Sequence, residues 1–341
     1  MNRYHKQQLF APIGEAGQRA IQHAKVLVCG CGALGSVIAD QLVRAGVGVV
    51  RIVDRDFVDI TNLQRQMLFD EDDVRQQIPK AIAASEKLRR VNCEITIEGI
   101  VGDVTSETIR ELAADVDLIV DGTDNYETRF LLNDWCLEKN IPWVHGGCIG
   151  SYGQVMAIVP GKTPFYRCIL PEEPDPGTAL TCDTAGVIAP AVHVIGSLEV
   201  SLALQLLTKT FDDSKPSIWH VDVWRGDFRK IDLTGLKDAG GCPACSGGQR
   251  DWLHGQRGAR SAVLCGRNAV QVTPSSRAKL SLEKFRQDWQ PLGVVTSNPY
   301  LVKLALTDGT SVTLFGDGRA VIGGTEDIKI ARGIYSRYVG Q

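Results

Sequence analysis

Along the first two thirds of the chain, apolar residues follow two alternating rhythms. Short continuous runs at Lys25–Cys29, Val47–Val53 and Asp117–Asp121 are bounded by glycine, aspartate or asparagine, as strands buried on both faces require. Between them lie segments of helical spacing. Ser36–Ala45 carries Val37, Ala39, Leu42 and Val43, and Ala81–Arg90 follows Pro79-Lys80, with proline well suited to a helix start. A third strand is predicted at Glu94–Gly99 and a further helix at Glu127–Lys139, after which Pro142–His145 and Gln154–Val159 continue the sheet. Strands and helices alternating at this size predict an α/β fold with a doubly wound, mostly parallel sheet. Ligands of such sheets collect at the carboxyl ends of the strands. The turn after the first strand, Asp54 and Thr123-Asp124 are therefore expected to share one crevice.

From Pro160 to Thr181 the chain reads as a loop rich in proline and acid, a length that is usually functional or disordered. An apolar helix at Gly186–Leu207 and strands within Ile218–Asp232 follow, and Gly240–Gly248 reads as a linker. A second pattern begins at Ala262. It has short strands, a helix near Ser281–Trp289, strands near Tyr300–Leu306 and Ser311–Phe315, and hairpin turn signals at Asp308-Gly309 and Asp317-Gly318. In a final helix Ile328, Ala331, Tyr335 and Tyr338 recur on one face. The expected organisation is a first domain over 1–250 and a small C-terminal α+β domain over 251–341.

Charge narrows the function. With 37 Lys+Arg against 40 Asp+Glu and a net charge of -3, the chain lacks the basic excess of a nucleic-acid binder. No run of 18 apolar residues predicts a membrane span, and the first residues have no signal pattern, so a cytoplasmic protein is expected. In a reducing compartment the 10 cysteines are read as metal ligands, catalytic thiols or plain core residues. Cys29, Cys93, Cys136 and Cys148 lie in or beside apolar segments and are expected to be small buried hydrophobes.

The chemistry is carried by two stretches one βαβ unit apart. Gly30-Cys31-Gly32-Ala33-Leu34-Gly35 is a glycine-rich turn that lets phosphate approach a helix N-terminus, where unpaired N–H groups and the helix dipole attract negative charge. Dehydrogenases, flavoenzymes and methyltransferases share that turn. The second stretch, Asp54 to Gln66, is more selective. Asp54 and Asp56 suit a ribose, whereas Asn62, Arg65 and Gln66 suit a triphosphate tail. A dinucleotide has no γ-phosphate for an arginine there. The pair points to ATP.

On these motifs the chain, over about residues 3–250, resembles the ThiF/MoeB/HesA family, Rossmann-like adenylyltransferases related to ubiquitin-activating enzymes, and is closest to its thiazole (thiamin) branch. The resemblance implies ATP-dependent adenylation of the C-terminal Gly-Gly carboxylate of a ubiquitin-like sulfur carrier protein. A carboxylate must attack an anionic α-phosphate, so catalysis is mostly charge neutralisation and positioning. By resemblance, Arg65 and Lys80 screen the phosphates, Asn62, Gln66 and Asn125 add hydrogen bonds, and Gly30, Gly32 and Gly35 lie against the nucleotide. Asp54 and Asp56 serve the ribose, and Asp124 holds Mg2+. Asp56, Asp59 and Asp121 are read equally well as turn residues. A homodimer is implied, with a basic residue reaching into the partner's ATP site. Here that residue is Lys6 in Arg3-Tyr4-His5-Lys6-Gln7, where the family has arginine.

Two further features concern sulfur. The family's Zn2+ site uses two C-x-x-C pairs. Gly241-Cys242-Pro243-Ala244-Cys245 supplies one, but Phe165-Tyr166-Arg167-Cys168 retains only one thiol of the other. Three thiolates remain where structural zinc normally has four ligands. They either hold zinc completed by water or another side chain, or pack without metal. Cys182 precedes a helix, a position that lowers a thiol's pKa, and is read either as a catalytic thiol in sulfur handling, with a cysteine desulfurase or other persulfide donor as partner, or as a helix-start residue. Cys265, in Leu264-Cys265-Gly266-Arg267, is read as structural. The competing readings are a carrier adenylyltransferase for molybdopterin synthase, an NAD-dependent oxidoreductase and a catalytically silent binding subunit. The second leaves Asn62–Gln66 and Thr123–Asn125 unexplained; the third predicts loss of Arg65, Lys80 and Asp124, all present.

Overall fold

A computed structural model describes residues 2–174, 185–237, 239–257, 261–264 (backbone only), 268–273 and 280–339. Cys182 and Cys265 lie outside the described residues. The chain forms two compact units, Met1–Arg257 and Gly258–Gln341.

The first unit is built on eight strands: β1 (Lys25–Cys29), β2 (Val49–Asp54), β3 (Thr96–Val101), β4 (Leu118–Asp121), β5 (Trp143–Ile149), β6 (Tyr152–Ile158), β7 (Ser217–Asp222) and β8 (Asp227–Asp232). Their order is β3-β2-β1-β4-β5-β6-β7-β8. From β3 to β5 the pairings are parallel. From β5 to β8 the sheet continues as an antiparallel meander. The apolar runs are continuous because both faces are covered. In β1, Val26 and Val28 face a core shared with the helices Ala33–Ala45, Lys80–Val91 and Ala189–Leu207. Leu27 and Cys29 face the opposite core, with Phe130, Leu131 and Trp135 of the helix Tyr126–Lys139.

The apolar helix begins at Ala189 rather than Gly186, with Pro190 in its first turn. By length and composition it could cross a membrane, but Val192, Ile195, Val200 and Ala203 are buried in the first core. Gly196 brings its backbone onto Leu34 and Val37 of the helix Ala33–Ala45.

Two expectations need correcting. Gly240–Gly248 is no linker: Cys242 and Ala244 are buried, and Trp252 and Leu253, which follow, pack into the second core of the first unit. The units divide between Arg257 and Gly258. Glycines that looked like a tether instead permit the tight turns that carry two thiols. Cys93 is exposed, not buried, because it follows the C-cap of the helix Lys80–Val91 and begins the turn into β3.

The second unit is a six-stranded antiparallel sheet of β9 (Ser261–Leu264), β10 (Ala269–Val272), β11 (Val294–Ser297), β12 (Leu301–Ala305), β13 (Ser311–Phe315) and β14 (Ala320–Gly323), in the order β11-β12-β13-β14-β10-β9. Gly309 and Gly318 take the left-handed φ that both hairpin turns require. The helices Leu282–Trp289 and Ile328–Tyr338 close a core of Val270, Val302, Leu304, Val312, Leu314 and Ile322. Ala331 and Tyr335 of the predicted face are buried there, while Ile328 stays partly exposed.

Candidate active site

The glycine turn joins β1 to the helix Ala33–Ala45, and its three glycines have different tasks. Gly30 adopts φ +82°, and a Cβ on it would lie 2.8 Å from the Gly122 carbonyl oxygen. On Gly35 a Cβ would lie 1.9 Å from the Gly30 carbonyl oxygen, so this position closes the turn against itself. Gly32 is open: a Cβ there would meet only Gln66 Nε2, at 3.9 Å. Gly32 is also the N-cap of the helix, and no side chain caps it. First-turn N–H groups without a capping side chain above an open backbone face form a cradle for an anion.

The second wall descends from the end of β2. Asp54 accepts from Cys31 N (2.6 Å) and Asp56 N (2.7 Å), tying the acid loop to the glycine turn. Burial holds its carboxyl above the usual carboxylate range, against the pull of Lys80. Lys80 is almost fully buried; its Nζ lies 3.4 Å from Asp56 Oδ2, and its backbone N–H donates to Asp56 O (2.9 Å). Asn62 and Gln66 are buried in the same loop, and Gln66 Oε1 has no hydrogen-bond partner among the described residues. The Gln66 atom nearest the open face of Gly32 is its amide nitrogen, a donor that an anion resting there could use. Asp59 takes the turn role, accepting from Thr61 N (2.9 Å) as N-cap of Ile60–Asn62. Arg65 does not reach toward the cradle: its Nη1 donates to Thr61 O (2.9 Å) in its own turn.

The third wall is the turn after β4, carried against Gly30 and Gly35 by the close approach of Gly122. Asp124 is exposed there. Asn125 caps the next helix by accepting from Thr128 N (2.8 Å), so that oxygen is already engaged. Asp121 lies beneath the turn. Its Oδ1 accepts from Thr123 N (2.9 Å) and Oγ1 (2.5 Å), and its Oδ2 faces His145 Nδ1 (2.9 Å) and Arg129 Nε (3.3 Å). Arg129 Nη2 donates to Thr123 O (2.7 Å), closing a clamp on the turn. Burial alone would raise the Asp121 carboxyl, but Arg129 and the His145 hydrogen bond bring it below the usual range. Burial pushes the His145 pKa down, so the ring is neutral.

Sequence reading missed Arg55, Arg129, His145 and Glu199. Arg55 pairs with Asp103 (3.3 Å), and burial, which would lower its pKa, is outweighed by Asp103, Asp56 and Asp124. For Arg129 a signal existed: it stands one helical turn after the cap Asn125, so its side chain returns over the helix start. Glu199 is fully buried, with both carboxyl oxygens unpartnered among the described residues, and is pressed against Gly146, where a Cβ would lie 2.2 Å from its Cδ. Burial, and then the negative Asp121, push its pKa well up, so it is protonated. Its folded pKa exceeds its unfolded one, so its contribution is most favourable at low pH and is lost as pH rises from the ordinary carboxylate range toward the folded value. Glu199→Gln is therefore expected to raise the melting temperature more at pH 8 than at pH 5, with a gain of up to ~1.4 kcal/mol per pH unit across that window. Equal effects at both values would count against a protonated Glu199.

Lys6 is exposed on the short helix His5–Gln8. That segment is tied down by Tyr4, whose hydroxyl accepts from Asn92 Nδ2 (2.9 Å), and by Gln7 Nε2, which donates to Ala45 O (3.0 Å). These anchors sit at the C-terminal end of the helix Ala33–Ala45. Thirteen helical residues put them about 20 Å from the glycine turn, beyond a lysine's reach within one protomer.

Away from the crevice, the sulfur atoms of Cys168, Cys242 and Cys245 lie within 4.8 Å of one another. Phe165 N donates to Cys168 Sγ (3.2 Å) and Cys245 N to Cys242 Sγ (3.4 Å). The hydrogen bond from Cys245, 3.5 Å away, lowers Cys168 to about 6, while Cys245 is pushed up. The donor set suits a thiophilic ion on three sides. Cys29, Cys31 and Cys136 are raised by burial and are inert core thiols.

Comparison with known proteins agrees with this geometry. The ThiF family model matches residues 4–244. The chain belongs to the ThiF family. The sulfur carrier protein ThiS adenylyltransferase of Bacillus subtilis is 43% identical over 340 residues, covering 99% of both chains, and so extends through the C-terminal unit. The Escherichia coli protein of the same name is 32% identical over 73% of this chain and 96% of its own length. A SAMP-activating enzyme E1 from Haloferax volcanii is 34% identical over 74% of this chain and 91% of its own. Among solved structures, E. coli MccB with ATP has a TM-score of 0.61 at 22% identity, covering 72% of this chain and 74% of that one, a likeness of fold.

Proposed function

We propose that the chain is an ATP-dependent adenylyltransferase that activates the C-terminal Gly-Gly carboxylate of a ubiquitin-like sulfur carrier protein, in thiazole (thiamin) synthesis within the cytoplasm. One observation carries the reading: the open face of Gly32 meets the amide nitrogen of Gln66, with the buried Lys80 heading the helix Lys80–Val91 and the exposed Asp124 in the turn after β4. Triphosphate would rest on the cradle, Asp54 would face the ribose, and Lys80 would neutralise phosphate charge as the carboxylate attacks the α-phosphorus and pyrophosphate leaves. Arg65 joins them by exchanging its bond to Thr61 O for the phosphate tail. Asp124 holds Mg2+, which supplies further charge neutralisation when bound.

The protein acts as a homodimer in this reading, since Lys6 can serve a nucleotide only in a second copy. Cys168, Cys242 and Cys245 hold a thiophilic metal, with Zn2+ the first candidate.

Carrier-dependent ATP–pyrophosphate exchange tests the proposal. A carrier ending in Gly-Gly should drive exchange, one lacking the terminal glycine should not, and Lys80→Ala should lower the rate roughly 10²–10³-fold. Exchange indifferent to the carrier's terminus, or to Lys80, would overturn it.

A further inference from the structure

The three-thiol centre is built from two local turns that are near counterparts. In one, Cys242 Sγ accepts from the backbone N–H three residues on, at Cys245. In the other, Cys168 Sγ accepts from the N–H three residues back, at Phe165. The first turn offers a thiol at both ends and the second at one end only, because its other end is a phenylalanine that is 1% exposed. A benzyl group has no donor atom, so this end contributes nothing to a cation. Among the described residues, no further His, Cys, Asp or Glu atom joins the cluster within 4.8 Å. Cys242 is buried, while Cys168 and Cys245 are each partly exposed.

A tetrahedral ion seated on these sulfurs would have one vertex that the described residues do not fill. We infer that the Cys168–Cys242–Cys245 centre holds a thiophilic divalent ion through three chain thiolates and takes an exogenous soft sulfur ligand, a thiol or hydrosulfide, at its fourth position. The inference rests on the metal-binding reading above. Binding exchanges a coordinated water for a metal–sulfur bond, and the incoming thiol gives its proton to solvent. A soft ligand is selected because three thiolates already make the ion a soft acceptor, and Phe165 at the vacant end offers no hydrogen bond to a hard anion. The centre is thus a docking point for small sulfur compounds rather than a closed structural knot.

Cobalt reports coordination directly. The full-length protein, purified without metal, is loaded with Co2+ and followed by its visible d–d bands and thiolate-to-cobalt charge-transfer absorption. Wild type is expected to show a three-thiolate spectrum. Adding 2-mercaptoethanol or sodium hydrosulfide should shift the d–d bands to lower energy and raise the charge-transfer intensity by about one third, as three Co–S bonds become four. Phe165→Cys should show the four-thiolate spectrum from the start and ignore added thiol. Should that variant fail to fold, since it removes a buried ring, the wild-type titration decides alone. A wild-type spectrum that ignores added thiol and hydrosulfide would overturn the inference and leave the metal reading standing. Failure to bind Co2+ or Zn2+ at all would overturn both.

Discussion

Asp124→Ala is expected to lower carrier-dependent pyrophosphate exchange by roughly 10²–10³-fold while the protein stays folded, because a carboxylate that meets Mg2+ and phosphate acts when charge develops. Asp124 is exposed at the end of β4, so alanine removes no packing. The hydrogen bonds of the clamp run through Asp121, Thr123 and Arg129, and Asp124 adds only its charge beside Arg129. Raising the Mg2+ concentration should restore part of the lost rate, whereas a variant that merely weakens nucleotide binding should be restored by ATP instead. Near-normal exchange, or a fall in melting temperature comparable to the loss of activity, would remove Asp124 from the role of metal holder.

The second large effect separates two glycines three residues apart. Gly35→Ala would place a methyl 1.9 Å from the Gly30 carbonyl oxygen, a contact that only a backbone shift can relieve. That shift would reopen the approach of Gly122 as well, since Gly35 Cα lies 2.7 Å from the position of a Gly122 Cβ. The expected result is a loss of about 3–5 kcal/mol in stability, measured by denaturant unfolding, together with loss of nucleotide binding. Gly32→Ala meets only the far end of Gln66. It should change stability by less than about 1 kcal/mol, yet weaken ATP binding in calorimetry, because the methyl stands on the ligand's side of the cradle. Equal destabilisation by the two substitutions would contradict the distinct tasks assigned to them.

Much of this was legible in the chain before folding. Short continuous apolar runs bounded by turn residues suit strands covered on both faces, and β1, β2 and β4 fall where those runs are. Glycines at 30, 32 and 35 followed by an acid at the next strand end specify a phosphate turn, and the structure brings Gly32, Asp54, Lys80 and Gln66 together. What stayed hidden is charge buried by tertiary contact. His145 and Glu199 look like ordinary polar residues in sequence because no local pattern records what lies across the sheet, whereas Arg129 was betrayed only by its spacing from the cap Asn125. The Gly240–Gly248 stretch misled for a related reason: glycine permits a tight turn as readily as a flexible tether. Only packing of Cys242 and Ala244 tells them apart. Arg65, in turn, was placed by motif alone, and its side chain is held by Thr61.

The clamp beneath the turn at 122–125 has a kinetic consequence. Asp121, Arg129 and the Asn125 cap hold that segment through bonds internal to the chain. An arriving nucleotide therefore meets a surface whose shape was settled when the protein folded. Little backbone entropy remains to be surrendered at each encounter. Waiting for a loop to order should then contribute little to turnover time on this side of the crevice.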